Sequence, residues 1–281
     1  AARATFKNTD PGTAAMKRYT WITDIHLDQM HPETLDRLIQ LLLDDEPDSI
    51  WIGGDISQAD SLLEKLGLLD DRLQRPIQFV LGNHDFYRGS IPSVRAEVAG
   101  FCEKHDRLTY LSESSWLKLG NGVGLVGHDG WADGRIGDYA GSTVMMNDYH
   151  LIEELAGLGT IERLPVLQRL GDEAAAHVGQ QLAAALEECN HVYLLTHVPP
   201  LRAACWYNEE AADDEWAPHF TCKAMGDMIL ETMKEHADRQ LTVLCGHTHS
   251  AGVCHPLPNL AIHTAGAEYD RADIAGRFQV D

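Results

Sequence analysis

Short apolar runs alternate along the chain with longer amphipathic stretches. The runs Tyr19–Thr23, Ile50–Ile52 and Ile77–Leu81 are rich in branched or aromatic residues, and each leads into a polar or glycine-containing turn. Such runs predict buried strands. Between them, Glu33–Leu43 and Ala59–Leu73 place leucines at helical spacing. The alternation of strands and helices predicts an α/β domain.

The second half of the chain continues this pattern. We predict a helix from Pro92 to about Lys104 and a hairpin that joins Ser115–Leu119 to Val123–Gly127 through Gly120-Asn121-Gly122. The later predicted elements are a helix over Val166–Glu188, a strand over Val192–His197, a helix over Lys223–His236 and a strand over Leu241–Cys245.

The domain organisation follows from the absence of dividing segments. No internal repeat and no linker rich in Pro, Gly or Ser interrupts the sequence, so residues 16–281 are predicted to form one domain. Met16 directly precedes the first predicted strand. Residues 1–15 are therefore interpreted as an N-terminal extension, disordered or vector-derived.

Composition and charge exclude several classes of protein. The 281 residues carry 22 lysines and arginines against 43 aspartates and glutamates, which gives a net charge of −21. No basic cluster is present, which disfavours nucleic-acid binding. No apolar run approaches the roughly 18 residues of a membrane helix. Six scattered cysteines predict reduced thiols in a cytoplasmic protein, although Cys205 and Cys222 flank one loop and could pair.

Candidate metal ligands follow every predicted buried strand. In chain order they lie in Asp24-Ile25-His26, Gly53-Gly54-Asp55, Gly82-Asn83-His84-Asp85, the lone His197, and Gly246-His247-Thr248-His249. Each fragment alone could be an ordinary polar turn or, for His197, a core histidine. Because ligands of α/β proteins collect beyond the carboxyl ends of the strands, five such fragments together indicate a metal site.

The donor chemistry points to two divalent ions. Carboxylate, amide oxygen and neutral imidazole suit Mn²⁺, Fe²⁺, Zn²⁺ or Ni²⁺. Seven donors exceed the needs of one tetrahedral zinc ion but suffice for two ions if one carboxylate bridges them. Asp55, at the end of the central strand, is the natural bridge. Two ions, two carboxylates and a bridging hydroxide sum to a charge of about +1, which would attract a phosphate despite the acidic surface.

The ordered motifs D-x-H, G-G-D, G-N-H-D, H and G-H-x-H resemble those of the calcineurin-like metallophosphoesterase superfamily, from about Tyr19 to Ser250. The resemblance implies an α/β fold with two facing mixed β-sheets flanked by helices, an αββα sandwich. It also implies which residues hold each ion. The first ion would be held by Asp24, His26 and His249 with Asp55 bridging, and the second by Asp55, Asn83, His197 and His247.

The resemblance assigns catalytic roles to the third motif. His84 would contact the scissile phosphate and protonate the leaving oxygen, and Asp85 would orient His84. Departures from two subfamilies are visible. The motif ends in Asp85 rather than the glutamate of protein serine/threonine phosphatases. Gln58 stands where purple acid phosphatases have a tyrosine ligand, so no tyrosinate-bound ferric ion is expected.

The expected activity is hydrolysis of a small phosphomonoester or phosphodiester by in-line attack of a metal-bridging hydroxide. Activity should fall below about pH 6.5, because protonated histidines release metal. A cyclic-nucleotide phosphodiesterase is a special case of this activity. A nuclease is disfavoured by the charge, and a metal-free scaffold by the presence of all seven ligands.

Two loops could form the substrate wall, although no substrate-binding residue is assigned. His128–Arg135 is dense in polar groups and could contact substrate or be an ordinary surface loop. Leu201–Phe220 carries Trp206, Tyr207, Trp216 and His219. Their rings could stack on a substrate or anchor a long loop, and we favour the anchoring role.

Overall fold

The computed structural model describes residues 16–208 and 210–281. The predicted extension, residues 1–15, lies outside the described residues. The strands are β1 (Lys17–Ile22), β2 (Ser49–Ile52), β3 (Ile77–Phe79), β4 (Leu108–Tyr110), β5 (Leu117–Gly120), β6 (Val123–His128), β7 (His191–Thr196), β8 (Trp206–Tyr207), β9 (Glu210–Ala211), β10 (Gln240–Cys245), β11 (Gly252–Leu257), β12 (Leu260–Thr264) and β13 (Gly276–Val280). The helices are α1 (Pro32–Asp45), α2 (Leu62–Leu73), α3 (Ile91–Cys102), α4 (Asp148–Leu151), α5 (Thr160–Glu188), α6 (Ala217–Phe220) and α7 (Lys223–Glu235).

Two mixed sheets form the centre of the fold. The first has the strand order β13-β1-β2-β3-β4, in which only β13 runs antiparallel to its neighbour. The second has the order β11-β12-β10-β7-β6-β5, in which the two outer strands β11 and β5 run antiparallel. The parallel strands at the centre of each sheet therefore end on the same side.

The apolar side chains sort into layers that explain this arrangement. One buried cluster joins residues of both sheets, among them Trp21, Trp51, Tyr193 and Leu244, so the sheets face each other. A second cluster packs α1, α2 and α3 on the outer face of the first sheet. A third packs α5 and α7 on the second sheet. The expected αββα sandwich is confirmed.

Most predicted elements are present with small shifts at their ends. The hairpin forms as expected, with β5 antiparallel to β6 around the turn at Gly122. The long helix begins earlier than predicted, at Thr160 instead of Val166, and includes Pro165. The Glu162 carboxylate accepts a hydrogen bond from Gly159 N at 3.1 Å and so caps the helix start.

Two expectations from composition can be compared with the structure. All six cysteines carry free thiols, so the disulfide considered between Cys205 and Cys222 does not form. Within residues 16–208 and 210–281, no helix has the length and apolar character required to cross a membrane.

Candidate metal centre

The structure brings the seven predicted ligands together where the two sheets meet. Asp24, His26, Asp55 and Asn83 follow strands of the first sheet, and His197, His247 and His249 follow strands of the second. Direct hydrogen bonds join these strand ends. His26 N donates to Asp55 O at 2.9 Å, and His247 N donates to Asp24 Oδ1 at 3.0 Å across the sheets.

The first group comprises Asp24, His26, Asp55 and His249. One ligand atom from each lies within 4.8 Å of the others. His26 Nε2 lies 3.2 Å from His249 Nε2, and His249 Nε2 lies 3.4 Å from Asp24 Oδ1. Donor atoms that share one ion at bond lengths of about 2.0–2.2 Å are separated by similar distances. The group therefore fits a divalent cation.

The second group comprises Asp55, Asn83, His197 and His247. His197 Nε2 lies 3.4 Å from Asp55 Oδ1 and 3.2 Å from Asn83 Oδ1. The imidazole rings of His197 and His247 have centroids 5.0 Å apart. Asp55 belongs to both groups, since its other oxygen, Oδ2, lies 3.8 Å from His26 Nε2. The carboxylate predicted as the bridge thus lies between the two groups.

The amide of Asn83 is oriented by a residue that the sequence did not reveal. Asn83 Nδ2 donates to Asp148 Oδ1 at 2.8 Å, and the Tyr87 hydroxyl donates to the same oxygen at 2.8 Å. Because a carboxylate only accepts hydrogen bonds, the amide nitrogen must face Asp148 and Oδ1 must face His197. Asp148 lies outside every motif and 65 positions from Asn83, so no sequence signal marked it.

Backbone carbonyls fix the two imidazoles of the second group. His197 Nδ1 donates to Gly53 O at 2.9 Å, and His247 Nε2 donates to His219 O at 3.2 Å. In each ring the hydrogen bond holds a proton on the nitrogen that faces the carbonyl, so the other nitrogen is the one that can bind a metal ion. Such outer hydrogen bonds are typical of metal-binding histidines.

Unusual backbone conformations concentrate at the centre. Five candidate ligands have φ in the left-handed region: Asp24 (53°), His26 (39°), Asp55 (51°), His247 (70°) and His249 (56°). This conformation costs a non-glycine residue about 1–3 kcal/mol, and it is found most often at functional sites. Glycines allow the close packing, because a Cβ on Gly82 would lie 2.2 Å from Asp55 Oδ1.

Burial determines the protonation of two imidazoles. Desolvation disfavours their charged forms and lowers the pKa of His26 and the pKa of His247 to about 4. Both rings are neutral at pH 7, which is the form that binds metal. Burial also opposes a charge on His197, but Asp55 overcomes this and raises the pKa of His197 to about 10. The negative potential that attracts a proton there also favours a metal cation.

In the third motif, His84 lies where the sequence predicted it, but Asp85 does not have the role predicted for it. His84 lies at the centre, with Nε2 4.0 Å from Asp55 Oδ2 and its ring 4.6 Å from that of His26. The expectation that Asp85 orients His84 is wrong. The oxygens of Asp85 accept hydrogen bonds from the backbone N–H groups of Ile56 (2.9 Å), Ser57 (2.8 Å) and Gly82 (2.8 Å).

Asp85 therefore acts beneath the centre and not on the imidazole above it. Its carboxylate ties the loop after Asp55 to the turn that precedes Asn83. The Nδ1 atom of His84 is buried and has no hydrogen-bond partner among the described residues. Asp85 does not bind His84 because both residues lie in the 3-10 turn His84–Phe86, and this turn directs the Asp85 carboxylate to the backbone N–H groups below the centre.

A cavity of about 610 Å³ opens over the ligands. Asp55, Asn83, His84, His247 and His249 line its floor. Its walls are largely apolar or aromatic. They are formed by residues 143–147, by Tyr269, and by Tyr207, Glu215, Trp216 and Phe220. The ring of Tyr269 packs 4.6 Å from the ring of His26. Tyr269 belongs to no motif and was not predicted.

The loop His128–Arg135 is neither a surface loop nor a substrate wall of the main cavity. Asp129 is buried and accepts hydrogen bonds from Leu81 N (2.8 Å), the Tyr110 hydroxyl (2.7 Å) and the Ser112 hydroxyl (2.7 Å). Asp133 is also buried and accepts from Ala224 N at 2.8 Å. These two aspartates of the loop therefore serve internal hydrogen bonding.

The aromatic residues of Leu201–Phe220 divide between the two predicted roles. Trp206 and His219 anchor the loop: the indole of Trp206 lies against Gly252, and His219 Nδ1 pairs with the Tyr149 hydroxyl at 2.5 Å. Tyr207 and Trp216 instead line the cavity.

Comparisons with known proteins agree with this geometry. The sequence profile of the calcineurin-like phosphoesterase family matches residues 17–251. No curated protein sequence matches the chain. The phosphopantetheinyl hydrolase of Mycobacterium tuberculosis has a similar fold, with a TM-score of 0.61, 16% identity, and coverage of 95% of this chain and 97% of that one.

Two further solved structures share the fold. A dimetal phosphatase from Danio rerio matches with a TM-score of 0.58 and 14% identity over 90% of this chain and 88% of that one. A protein from Thermus thermophilus matches with a TM-score of 0.51 and 16% identity over 90% of each chain. The profile match spans most of the chain and contains all five motifs, so the chain belongs to the calcineurin-like phosphoesterase family and is a hydrolase of phosphoester bonds.

Proposed function

We propose that the chain hydrolyses a small phosphomonoester or phosphodiester at a centre of two divalent ions. Asp24, His26 and His249 would hold the first ion, and Asn83, His197 and His247 the second, with Asp55 shared. The position of Asp55 carries this proposal, because its two oxygens lie 3.4 Å from His197 Nε2 and 3.8 Å from His26 Nε2.

When bound, the two ions would supply an activated water and offset the charge of the phosphate. The other steps belong to the side chains. Asp24 and Asp55 would hold the cations, and the outer hydrogen-bond partners of Asn83, His197 and His247 fix the orientation of those donors. His84 lines the cavity floor next to Asp55, where its Nε2 can contact the scissile phosphate and protonate the leaving oxygen.

The surroundings favour some assignments over others. Nitrogen and oxygen donors suit Mn²⁺, Fe²⁺, Zn²⁺ or Ni²⁺, and Mn²⁺ is our choice for assays. The net charge of −21 disfavours a nuclease. Six free thiols fit a reducing compartment such as the cytoplasm. Retention of all seven donors disfavours a metal-free scaffold protein.

The test combines metal content with a substrate panel. Elemental measurement of the full chain should give about two divalent ions per chain, as the seven donors require. With Mn²⁺, turnover is then compared for aryl monoesters, linear diesters and cyclic nucleotides. Preference for cyclic nucleotides would select the cyclic-nucleotide phosphodiesterase. Two bound ions with no turnover of any ester would contradict the proposal.

A further inference from the structure

One wall of the main cavity is a continuous set of aromatic rings. Tyr207 and Trp216 have ring centroids 4.4 Å apart, and Phe220 lies 5.3 Å from each of them. Phe220 in turn meets the ring of His247 edge-on at 5.1 Å. The rings therefore form a continuous set that ends at a proposed metal ligand, and a substrate bound at the centre would place its alcohol portion against them.

The charge of the same wall is unusual for a site that binds phosphate. Neither lysine nor arginine is among the described residues that line the cavity. Away from the centre itself, Glu215 is the one charged side chain among the described lining residues, and it precedes Trp216 in the sequence. Its Oε1 accepts a hydrogen bond from Thr143 N at 3.2 Å and another from the Thr143 hydroxyl. Among the described residues, no lysine or arginine forms an ion pair with Glu215.

Aromatic faces together with a carboxylate recognise an organic cation. The negative face of an aromatic ring attracts a cation, and quaternary ammonium groups are commonly bound by such rings. We propose that this wall selects a substrate whose alcohol carries an organic ammonium group, so that the phosphate lies on the centre and the cation lies between Glu215 and the rings. This inference rests on the proposed phosphoesterase function and names its substrate class.

The same features work against other ester classes. A second phosphate or a carboxylate on the alcohol would approach Glu215 without a cation to neutralise it, and like charges at close range repel. A neutral alcohol would gain the apolar contact but not the attraction to the carboxylate. A zwitterionic phosphoester alone satisfies both ends of the cavity.

The test compares two substrates of equal shape. Choline phosphate carries a trimethylammonium group, and 3,3-dimethylbutyl phosphate replaces its nitrogen by carbon. We expect the ratio of kcat/KM for the cationic ester to that for the neutral one to fall about fivefold in Glu215→Gln. Comparing the ratio between variants cancels the different intrinsic reactivity of the two alcohols.

A matched control separates local from general charge effects. Asp214 is the adjacent residue, is exposed, and pairs with Arg202 outside the cavity lining. Asp214→Asn removes the same charge and should leave the substrate ratio unchanged. An unchanged ratio in Glu215→Gln, or an equal fall in both variants, would overturn the proposal.

A binding measurement keeps this inference distinct from the proposed function. Tetramethylammonium, titrated into the full chain by calorimetry, requires no turnover. We expect weaker binding to Glu215→Gln than to the parent or to Asp214→Asn. Binding with this dependence but no ester hydrolysis would refute the function and keep the cation site. Hydrolysis of esters without cation binding would refute the cation site alone.

Discussion

The two halves of the metal centre are built in different ways. In the second half, Asn83, His197 and His247 each have an outer hydrogen-bond partner, namely Asp148, Gly53 O and His219 O. In the first half, Nδ1 of His26 is buried and has no hydrogen-bond partner within the described chain. The side chain of His249 is 24% exposed, against 0% for His197.

The difference reflects which parts of the chain supply the groups that hold the ligands in place. The first half depends on the sheet ends, where His26 N donates to Asp55 O and the ring of Tyr269 covers His26. Two of the groups that hold the ligands of the second half come from short helices between strands, since Asp148 begins α4 and His219 lies in α6. Changes in those two helices should therefore weaken the second half and spare the first.

Asp55→Ala should have the largest effect because it removes the residue that both halves share. We expect loss of both ions and of detectable turnover, since the remaining buried donors carry a single carboxylate, Asp24. Elemental analysis and the ester panel measure both effects. Asp60→Ala, an exposed aspartate five positions later, is the control and should retain both. Full metal content in Asp55→Ala would refute the shared position.

His84→Ala should separate metal binding from catalysis. His84 is not a proposed ligand, so the variant should keep both ions, while kcat falls by roughly 10²–10⁴-fold, the usual contribution of a general acid. The loss should be largest for esters with poor leaving groups, which need the proton most. His255→Ala, at an exposed position on β11, is the control. Normal turnover of all esters by His84→Ala would show that His84 has another role.

The candidate metal ligands could be predicted from the sequence more readily than the residues that orient them. Asp24, His26 and Asp55 follow apolar strands directly, so local pattern and chemistry were enough to predict them. Asp148 and His219 act on residues 65 and 28 positions away. Only the folded chain, which places the short helices α4 and α6 beside the centre, brings these residues to it.

Asp85 illustrates the same limit within a motif. Its position next to His84 suggested a contact, but the 3-10 turn directs its carboxylate to three backbone N–H groups below the centre. Much of the fold was also local, since most strands and helices lie where hydrophobic periodicity predicted them. The antiparallel pairing of β13 with β1 joins the two ends of the domain, and periodicity carries no such information.

Asp148→Ala should have a smaller effect that falls on one half only. Without Asp148, the Asn83 amide loses the acceptor that fixes its orientation. We expect the second ion to bind about 10–100-fold more weakly, as for other outer partners of metal ligands, while the first ion is retained. Titration of the full chain with Mn²⁺, followed by the electron paramagnetic resonance signal of Mn²⁺, should then resolve one tight and one weakened site. Equal weakening of both sites would contradict the separate construction of the halves.

Tyr87→Phe should weaken binding of the second ion less than Asp148→Ala does. It removes the hydroxyl that donates to Asp148 Oδ1 at 2.8 Å and accepts a longer hydrogen bond from Asn83 Nδ2 at 3.2 Å. It keeps the aromatic ring, which lies 4.3 Å from the ring of His84. One hydrogen bond contributes about 1 kcal/mol, so the second ion should bind about fivefold more weakly, with no change in the first. An effect as large as that of Asp148→Ala would mean that the Tyr87 hydroxyl orients Asn83 as strongly as Asp148 does, which would contradict the main role given to Asp148.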